Sequence, residues 1–324
     1  MQEIKTHLAP SLAQVRALIE DALRSDVQLL DTANRTLLER PGKMVRPMVT
    51  LLCAGAAGAV NGDSLRFAAA TELLHNATLL HDDVVDASPE RRGRPTMYRL
   101  MGGQASVLLG DYWLVRCMDT ILASARYGNQ VIRIFARTLE HLVEGELLQM
   151  QMAREARTTQ QEYLRIIYGK TASLFEAAAE SGAVSVNASA EVTTALKDYA
   201  RQLGLAFQIK DDIFDYEDAA GAIGKPVGID LLEQKITQPL LCALQDAPEA
   251  DCRYIRGLVA GMAEAPGKAG EVQAFVQARD GIRKAVAVLD DYVAKAVSCL
   301  DVLGNSAEKQ YLAQMAQFVG ARNQ

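Results

Sequence analysis

Two acidic motifs, each joined to an apolar helical run, constrain this chain more than any other feature. The first motif is Leu79-Leu80-His81-Asp82-Asp83-Val84-Val85-Asp86, and the second is Lys210-Asp211-Asp212-Ile213-Phe214-Asp215. On a helix, Asp82 and Asp86 point to the same side, one turn apart. Two carboxylates held that close repel each other, and a hard divalent cation is the group that would offset the repulsion. One acidic patch is usually a solvated helix face, but two copies beside apolar helices predict a metal site.

The composition favours helix over sheet. Aromatic residues make up only 6% of the 324 residues, proline is sparse, and alanine and leucine dominate. The hydrophobic fraction of 49% supports a large core. Helices are predicted at 9–39, 46–58, 65–86, 103–126, 129–153, 159–181, 190–216, 230–244, 250–263, 272–303 and 306–319, with loops at 88–95 and 218–228. Because no strand signal or linker stands out, the sequence predicts a single all-α domain spanning residues 1–324.

The charge and the cysteines limit the partners and the compartment. The net charge is -6 and the pI is near 5.4, so the chain offers no basic face for nucleic acid. The five cysteines are scattered and form no C-x-x-C pair, which is typical of buried thiols in a reducing compartment. The first residues lack a hydrophobic signal core, and no apolar run is long enough to span a membrane. We therefore expect a cytoplasmic protein.

Basic residues lie in several groups near the acidic motifs or interrupt an apolar helix. These groups are Lys43 with Arg46, the loop residues Arg91, Arg92 and Arg94, Lys170 before Thr171, and Lys225. Each residue alone could be a solvated surface charge. Together with carboxylates and metal ions they form the set that binds a diphosphate, and two separate groups suit two phosphate-bearing ligands. His75 precedes Asp82 by seven residues and returns to nearly the same helix face, whereas His81 points elsewhere.

Several other chemistries lack their sequence signals. No G-x-S-x-G motif occurs, and no histidine has an evident serine or cysteine partner, so nucleophilic catalysis is not indicated. Gly42-Lys43 and Gly224-Lys225 lack the spacing of a phosphate-binding P-loop. Four histidines and scattered cysteines make a zinc site improbable.

With these motifs, the chain resembles the trans-isoprenyl diphosphate synthases, or polyprenyl synthetases, along nearly its whole length. The motifs that carry the resemblance, in the family's order, are Gly42-Lys43-x-x-Arg46-Pro47, Glu72-x-x-His75, the first acidic motif with Arg91-Arg92-Gly93-x-Pro95, Gly110-Asp111, Glu144-Gly145-Glu146, Lys170-Thr171, Phe207-Gln208 with the second acidic motif, and Gly224-Lys225-x-x-Gly228-x-Asp230-Leu231-x-x-x-Lys235-x-Thr237-x-Pro239. One departure is Gln234, where many members have glycine.

The resemblance implies an all-α bundle of about ten core helices around a deep cavity, usually in a homodimer. It also implies the reaction. An allylic diphosphate ionises, the double bond of isopentenyl diphosphate attacks the cation, and a proton leaves to the released diphosphate. The chain grows head-to-tail by one five-carbon unit in each cycle, and the product is delivered to a membrane.

Roles for individual residues follow from the same resemblance. Asp82, Asp86 and Asp211 are implied as direct ligands of three Mg²⁺ ions, and Asp83, Asp212 and Asp215 as ligands acting through water. The residues similar to the family's allylic diphosphate binders are Arg91, Lys170, Thr171, Gln208 and Lys225. The residues that match its isopentenyl diphosphate site are Lys43, Arg46, His75 and Arg92.

The product length depends on the residues one turn before the first motif. Ala77 and Thr78 hold the positions where short-chain members often carry an aromatic block. Because neither is bulky, we expect a long product, hexaprenyl to decaprenyl, with octaprenyl as the central value. Leu139 and Val143 are weak candidates for the cavity floor, and ordinary core packing explains them equally well.

Four other functions are alternatives. A farnesyl or geranylgeranyl diphosphate synthase is the first, although many bacterial enzymes of that kind have four residues at the place where two separate Asp83 from Asp86 here. A non-catalytic subunit of a heteromeric synthase would usually have lost motif aspartates, and all six are present. A metal phosphohydrolase using His81-Asp82 would need further histidines near the site. A terpene cyclase would not explain Lys43, Arg46 and Arg92.

Overall fold

The computed structural model describes residues 1–39, 42–91, 93–217 and 228–322. In these ranges the chain is all-α apart from one two-residue hairpin, which confirms the predicted fold class. The first helices are α1 (Gln2–Ala22), α2 (Gln28–Leu38), α3 (Val45–Ala57), α4 (Gly62–Val85), α5 (Met97–Met101) and α6 (Gly103–Leu122). They are followed by α7 (Gly128–Glu155), α8 (Gln160–Ile167), α9 (Ser173–Ser185), α10 (Ala190–Glu217), α11 (Ile229–Leu232), α12 (Gln238–Gln245), α13 (Glu249–Ala260), α14 (Ala269–Ala278), α15 (Gly281–Ser298) and α16 (Ala307–Ala321).

Two short strands and three short helical turns lie between these helices in the described ranges. Strands β1 (Glu90–Arg91) and β2 (Arg94–Pro95) pair antiparallel. A π-helical turn, Tyr168–Ala172, joins α8 to α9, and 3₁₀ turns lie at Pro266–Lys268 and Cys299–Val302. Within the described ranges, every helix is too short or too polar to cross a bilayer.

The chain forms two compact units. The first comprises Met1–Ala136, Ala177–Lys197 and Val302–Leu312, and the second comprises Arg137–Glu176, Asp198–Asp301 and Ala313–Gln324. Each unit has its own buried apolar side chains. The single domain expected over residues 1–324 stays a prediction.

Helix α4 is the centre of the first unit. It contacts α1, α3 and α6, and it is buried on all sides along Phe67–Leu74. A mostly apolar helix that is buried on all sides belongs in a core, and the first acidic motif follows such a segment. Asn61 and Ser64 form a reciprocal capping box at its start, and the Ser64 hydroxyl lies 2.7 Å from the Ser185 hydroxyl. The beginning of α4 is therefore fixed, and its other end presents the aspartates.

Helix α10 supplies the second motif to the second unit. Its buried side chains Tyr199, Leu203, Ala206, Ile209 and Ile213 recur at helical spacing and face the core. A Cβ atom at Gly204 would lie 2.5 Å from the Ala172 Cα atom, so α10 crosses the π-helical turn in direct backbone contact. The side chains of both segments therefore approach each other closely.

The predicted helix over 9–39 is wrong as one element, since the chain breaks between α1 and α2. The Asn34 side-chain amide donates to the Leu23 carbonyl at 2.8 Å, and the Trp113 indole donates to the Asn34 amide oxygen at 2.9 Å. The Val27 amide donates to the Ser25 hydroxyl at 3.2 Å. The break depends on Trp113, which comes from a distant helix.

Two further predicted helices are also divided. The helix over 272–303 ends at Ala278 and restarts at Gly281, because Asp280 has a φ of +55°. A Cβ atom at Gly281 would meet the Pro239 carbonyl at 2.5 Å, so the restart allows α15 to pack closely on α12. The helix over 230–244 is likewise divided into α11 and α12, with Gln234 in the left-handed region between them.

The loop predicted at 88–95 contains the hairpin, although no strand was predicted. Glu90 pairs with Pro95, and Arg91 pairs with Arg94. Gly93 has a φ of +71°, a conformation that glycine adopts without strain. Strands of two residues carry no detectable alternation, which is why the sequence pattern does not reveal them.

Candidate active site

The carboxylates of the first motif lie at the carboxyl end of α4. The helix ends at Val85, and the Asp86 amide still donates to the Asp82 carbonyl at 2.8 Å. Asp82 is half-buried and Asp86 is exposed. Ala87 follows with a φ of +47° and turns the chain away. The two carboxylates lie one turn apart beside the negative end of the helix dipole, and both effects favour a bound cation.

Asp83 is engaged by the hairpin that follows the motif. The Arg91 Nε atom donates to the Asp83 Oδ1 atom at 2.7 Å, and the Asp83 side chain is only 8% exposed. The Thr96 hydroxyl donates to the Ser88 carbonyl at 2.7 Å and fixes the base of the hairpin. The guanidinium is therefore held by a buried carboxylate while remaining 38% exposed. Arg92 lies outside the described residues.

A cavity of about 700 Å³ in the first unit adjoins both features. Its lining includes Gly42, Asn76, Asp83 and Arg91. A Cβ atom at Gly42 would lie 3.3 Å from the Glu72 Oε1 atom, so the segment before α3 approaches α4 closely. The sequence groups around Gly42, α4 and the hairpin thus border one cavity, as binding of a phosphate-bearing ligand would require.

The residues predicted for isopentenyl diphosphate occupy the start of α3 and the middle of α4. Lys43 is exposed, and Arg46 and His75 are half-buried. Met44 between the two cations adopts left-handed backbone with a φ of +55° and directly precedes α3. The amino end of a helix favours an anion, which adds to the charge of Lys43.

Asp212 of the second motif is buried and accepts two hydrogen bonds. The Tyr163 hydroxyl donates to it at 2.6 Å, and the Gln208 amide donates at 2.9 Å. Both partners are themselves fixed, since Tyr163 is 2% exposed and the Thr171 hydroxyl donates to Gln208 at 2.7 Å. The carboxylate is therefore held in one orientation.

The other two carboxylates of the motif have different partners. Asp215 accepts the backbone amides of Ile229 and Asp230 at 3.1 Å each, which fixes the start of α11. Asp211 accepts a hydrogen bond from Arg322, the residue after α16. Lys225, predicted to bind diphosphate, lies outside the described residues.

Lys170 and Thr171 lie in the π-helical turn, a distortion that often occurs at functional sites. The Lys170 ammonium lies 2.8 Å from the Glu146 carboxylate and 2.9 Å from the Gln149 amide oxygen. The Thr171 hydroxyl is linked through Gln208 to Asp212. Cation, hydroxyl, amide and carboxylate thus form one connected set within the second unit.

Two glycines allow this arrangement. A Cβ atom at Gly169 would lie 2.4 Å from the His141 carbonyl and 3.1 Å from the Gly145 Cα atom. A Cβ atom at Gly145 would lie 3.1 Å from the backbone nitrogen of Lys170. Helix α7 therefore contacts the π-helical turn backbone to backbone, which brings Glu146 to Lys170.

Several of these groups line a cavity of about 170 Å³ in the second unit. Its polar lining residues are Gln149, Thr158, Tyr163, Lys170, Gln208, Asp212, Asp230, Lys235 and Thr237. Burial raises the pKa of Asp212 well above its usual range, and the neighbouring Asp230 carboxylate adds to the effect. Burial raises the pKa of Asp230 from 3.8 to about 6, with a further contribution from Asp215. The carboxylates disfavour one another's charge, so a cation among them would be stabilised.

The donors fit a metal that is shared with a ligand. Within the described residues, no three histidine, cysteine or acidic side chains converge on one point as a ready-made metal site. Instead, Asp82 and Asp86 present carboxylate oxygens at a helix end. Mg²⁺ characteristically takes one or two carboxylates and completes its octahedron with water and phosphate oxygens. The arrangement therefore suits Mg²⁺ bound together with a diphosphate.

The residues predicted to set the chain length differ in burial. Ala77 is 2% exposed and Thr78 is 8% exposed, and the Thr78 hydroxyl donates to the His75 carbonyl at 2.9 Å. On α7, Leu139 is half-buried and Val143 is 50% exposed. Their roles in setting product length stay predictions.

Sequence reasoning missed Tyr163 and Arg322, although both contact the second motif. Tyr163 lies seven residues before Lys170 and so returns to a similar helix face, which is a weak signal. Arg322 is 111 residues from Asp211 and carries no local signal. Asp230 and Lys235 were noticed within a motif but given no role, and both line the cavity of the second unit.

Comparison with known proteins identifies the family. A family model described as Polyprenyl synthetase matches residues 27–277. The octaprenyl diphosphate synthase of Escherichia coli (strain K12) is 39% identical over 258 residues, which cover 79% of this chain and 79% of that protein. The crystal structure of a decaprenyl diphosphate synthase from Rhodobacter capsulatus matches with a TM-score of 0.92 at 34% identity over 98% of both chains.

A further solved structure bears on the site. The polyprenyl synthase from Caulobacter crescentus CB15, complexed with calcium and isoprenyl diphosphate, matches with a TM-score of 0.90 at 33% identity. The match covers 100% of this chain and 98% of that one. A divalent metal and a prenyl diphosphate are thus present together in a protein of the same fold.

The all-α fold, with its groups of carboxylate and cationic side chains, defines a class of enzymes that act on prenyl diphosphates. The chain belongs to the polyprenyl synthetase family and is a prenyltransferase. This family uses isopentenyl diphosphate and allylic diphosphates as substrates together with a divalent metal.

Proposed function

We propose that this protein condenses isopentenyl diphosphate head-to-tail onto an allylic diphosphate, farnesyl or geranyl, and releases a long-chain all-trans polyprenyl diphosphate. Octaprenyl diphosphate is the central product, within a range of hexaprenyl to decaprenyl. The long-chain names of the relatives support this range. The reaction depends on Mg²⁺.

The observation that carries the proposal is the hydrogen-bonded series from Thr171 through Gln208 to Asp212. Thr171 and the neighbouring Lys170 are the side chains suited to a diphosphate, and Asp212 belongs to the acidic motif suited to a metal. Because Gln208 donates to Asp212 while accepting from Thr171, the two functions are coupled through one amide. Solvated surface charges would not form such a series, whose two ends, Thr171 and Asp212, are buried.

The proposed metal ligands are Asp82, Asp86 and Asp211, with Asp83, Asp212 and Asp215 acting through water or through their neighbours. Three bound Mg²⁺ ions would neutralise the diphosphate as it leaves and gains charge. The contacts of Asp83 favour the indirect role, since its carboxylate orients Arg91. Those of Asp215 favour it equally, since two backbone amides occupy its oxygens.

The remaining residues bind and orient the two substrates. Arg91, Lys170, Thr171, Gln208 and Lys225 hold the allylic diphosphate. Lys43, Arg46, His75 and Arg92 hold isopentenyl diphosphate. Separating the two anions in this way aligns the double bond of one substrate with the reacting carbon of the other, which supplies much of the catalysis in such a reaction.

The bond changes balance without a protein base. The allylic carbon–oxygen bond breaks, and the electron pair leaves with the diphosphate. The double bond of isopentenyl diphosphate forms the new carbon–carbon bond, and one proton leaves to form the new double bond. The released diphosphate accepts that proton, and the cations named above stabilise its charge.

The length of the product depends on the space beyond the reacting carbon. Ala77 and Thr78 are small side chains, so we propose that the growing chain passes them. Leu139 and Val143 remain candidates for the point at which growth stops. A farnesyl or geranylgeranyl product is the alternative.

We further propose a cytoplasmic homodimer whose chain is one functional domain. Helix α6 supports dimerisation, because Leu108, Val115 and Leu122 share one face and are 63%, 53% and 51% exposed. Seven-residue spacing places such side chains in one row. All five cysteines are free thiols, which suits a reducing compartment.

The test is incorporation of labelled isopentenyl diphosphate into extractable lipid. With Mg²⁺ and farnesyl diphosphate we expect incorporation that EDTA abolishes. Asp82→Asn and Asp211→Asn should each lower turnover by roughly 100-fold or more, the loss typical of removing transition-state charge stabilisation. Asp198→Asn is the matched control and should retain activity, because this half-buried carboxylate on α10 pairs with Arg201 and belongs to neither acidic motif. Equal activity in all three variants would overturn the assignment.

A further inference from the structure

Arg322 is a nearly buried cation in direct contact with a proposed metal ligand. It follows α16, and its amide donates to the Phe318 carbonyl at 2.9 Å, which extends the last helical turn. Its side chain is only 8% exposed, whereas the Asp211 side chain is 42% exposed. A guanidinium withdrawn from water in this way needs specific partners.

Helix α10 provides these partners from one face. The guanidinium lies 4.1 Å from the Phe207 ring centroid and 5.4 Å from the Phe214 ring centroid. Its Nη2 atom donates to the Phe207 carbonyl at 2.8 Å and to the Asp211 Oδ1 atom at 2.5 Å. Phe207, Asp211 and Phe214 are four and three residues apart, so they share a face of the helix. They form an aromatic socket with one carboxylate.

The fit of the guanidinium to this socket is incomplete. Its buried Nε atom has no hydrogen-bond partner among the described residues. A buried donor left unpaired opposes the contact, so the pairing of Arg322 with Asp211 is weaker than a fully satisfied buried ion pair. Such a contact can exchange one partner for another.

A metal ion would compete for the same oxygen. The Asp211 Oδ1 atom can accept the hydrogen bond of the guanidinium or can coordinate a divalent cation. The positive charge of the guanidinium repels a cation bound beside it. A bound diphosphate adds negative charge and offsets that repulsion. The order of binding therefore depends on which charges are already present.

We propose that Arg322 is a displaceable counter-ion of Asp211 that weakens metal binding at the second motif until a diphosphate is bound. This inference rests on the proposed role of Asp211 as a metal ligand. Arg322 acts through Asp211 and is a positioning residue. It couples the end of α16 to the order in which metal and substrate bind.

The test measures binding of Mn²⁺ to the full chain by the electron paramagnetic resonance signal of the free ion. Without diphosphate, Arg322→Gln should bind Mn²⁺ about tenfold more tightly than the native protein, as expected for removing one adjacent like charge. Added inorganic diphosphate should reduce that difference, because it strengthens native binding more. Arg201→Gln is the matched control and should change the affinity less than twofold, because Arg201 also lies on α10 but pairs with Glu176 of α9.

Two further variants keep the test decisive. Arg322→Lys retains the positive charge and should bind Mn²⁺ as weakly as the native protein. This comparison can be made even if Arg322→Gln does not fold. In the Asp211→Asn background, Arg322→Gln should bring no gain. A gain that persists there, or an affinity that Arg322→Gln leaves equal or lower, would overturn the proposal. If Asp211→Asn leaves Mn²⁺ binding unchanged with diphosphate present, the metal role of Asp211 itself fails, which is a separate result.

Discussion

Asp83 and Asp82 are neighbours in sequence but differ in what their carboxylates can do. The Asp83 carboxylate is buried and bound to Arg91, whereas Asp82 is half-buried at the helix end. A residue that orients a binding cation should affect affinity, and a residue that binds the reacting group should affect turnover. We therefore expect the first acidic motif to divide into two functions.

Asp83→Asn should raise the KM for the allylic diphosphate about tenfold with little change in kcat, because a charged hydrogen bond that holds Arg91 is weakened by about 1.4 kcal/mol. Asp82→Asn should lower kcat instead. Steady-state kinetics with farnesyl diphosphate as the varied substrate distinguishes the two. Equal losses of kcat in both variants would contradict the division.

The raised pKa of Asp230 predicts that the stability of the folded protein depends on pH. Its pKa is raised by burial from 3.8 to about 6 in the folded protein. The folded state then holds the proton more tightly than the unfolded chain, so this carboxyl costs stability as pH rises from about 4 to about 6. In EDTA, Asp230→Asn should be more stable than the native protein at pH 7.5 by on the order of 1–3 kcal/mol, and equally stable near pH 4.

Urea denaturation at the two pH values measures this difference. Asp301→Asn changes an exposed carboxylate in the 3₁₀ turn Cys299–Val302 and serves as the control. A stabilisation of Asp230→Asn that is the same at both pH values would show that the buried charge is not its cause.

The candidate site residues proposed from the sequence are close together along the chain. Asp82 and Asp86 share a helix face by their spacing, and Lys170 and Thr171 are adjacent. Tyr163 and Arg322 were missed because their contacts with Asp212 and Asp211 join segments far apart in the chain. Spacing along a helix carries no information about such contacts.

At the scale of elements, tertiary contacts decided where long apolar patterns break. The pattern over 9–39 is continuous, yet Asn34 and Trp113 end α1 at the Leu23 carbonyl. Helices α14 and α15 separate where Gly281 packs against the Pro239 carbonyl. Periodicity predicts that a helix exists, while its ends depend on partners elsewhere in the chain.

The crossing of α7 with the π-helical turn gives a test at this scale. Gly169→Ala would place a Cβ atom 2.4 Å from the His141 carbonyl and force the two backbones apart. We expect a loss of about 1–3 kcal/mol in the free energy of unfolding, together with reduced activity because Lys170 moves from Glu146.

Gly257→Ala is the matched control for this substitution. Nothing lies within 4 Å of a Cβ atom at that position in α13, so alanine should stabilise the protein by about 0.5–1 kcal/mol. Chemical denaturation of both variants gives the comparison. Similar stabilities for the two variants would mean that the close crossing does not restrict residue 169.

The exposed row on α6 predicts that the proposed dimer forms through this helix. Leu108→Glu combined with Val115→Glu would place charges in the apolar face and should yield monomers, because a buried unpaired charge is costly. Light scattering after size exclusion measures the mass. Leu29→Glu, an isolated exposed leucine on α2, is the control and should leave the dimer intact. A dimer that persists in the double variant would place the interface elsewhere.

At the scale of the whole molecule, composition and periodicity were sufficient for the fold class. Few aromatic residues and a dominance of alanine and leucine predicted an all-α chain, and the structure confirms it. The relation between sequence and product length is less direct, because length depends on where a cavity ends rather than on any one motif. Ala77 and Thr78 mark the level that we propose the growing chain passes, and no sequence pattern identifies the level at which growth stops.

The length of the product tests the proposed function most directly. Purified protein is incubated with Mg²⁺, farnesyl diphosphate and excess isopentenyl diphosphate, and the products are measured by mass spectrometry. We predict a final product of about thirty to fifty carbons, with forty dominant, and a shorter one from Ala77→Tyr, because an aromatic ring would fill the level that alanine leaves open. A product that stops at fifteen or twenty carbons, tested from geranyl diphosphate as well, would contradict the long-chain assignment. No elongation by folded protein with metal present would contradict prenyl transfer itself.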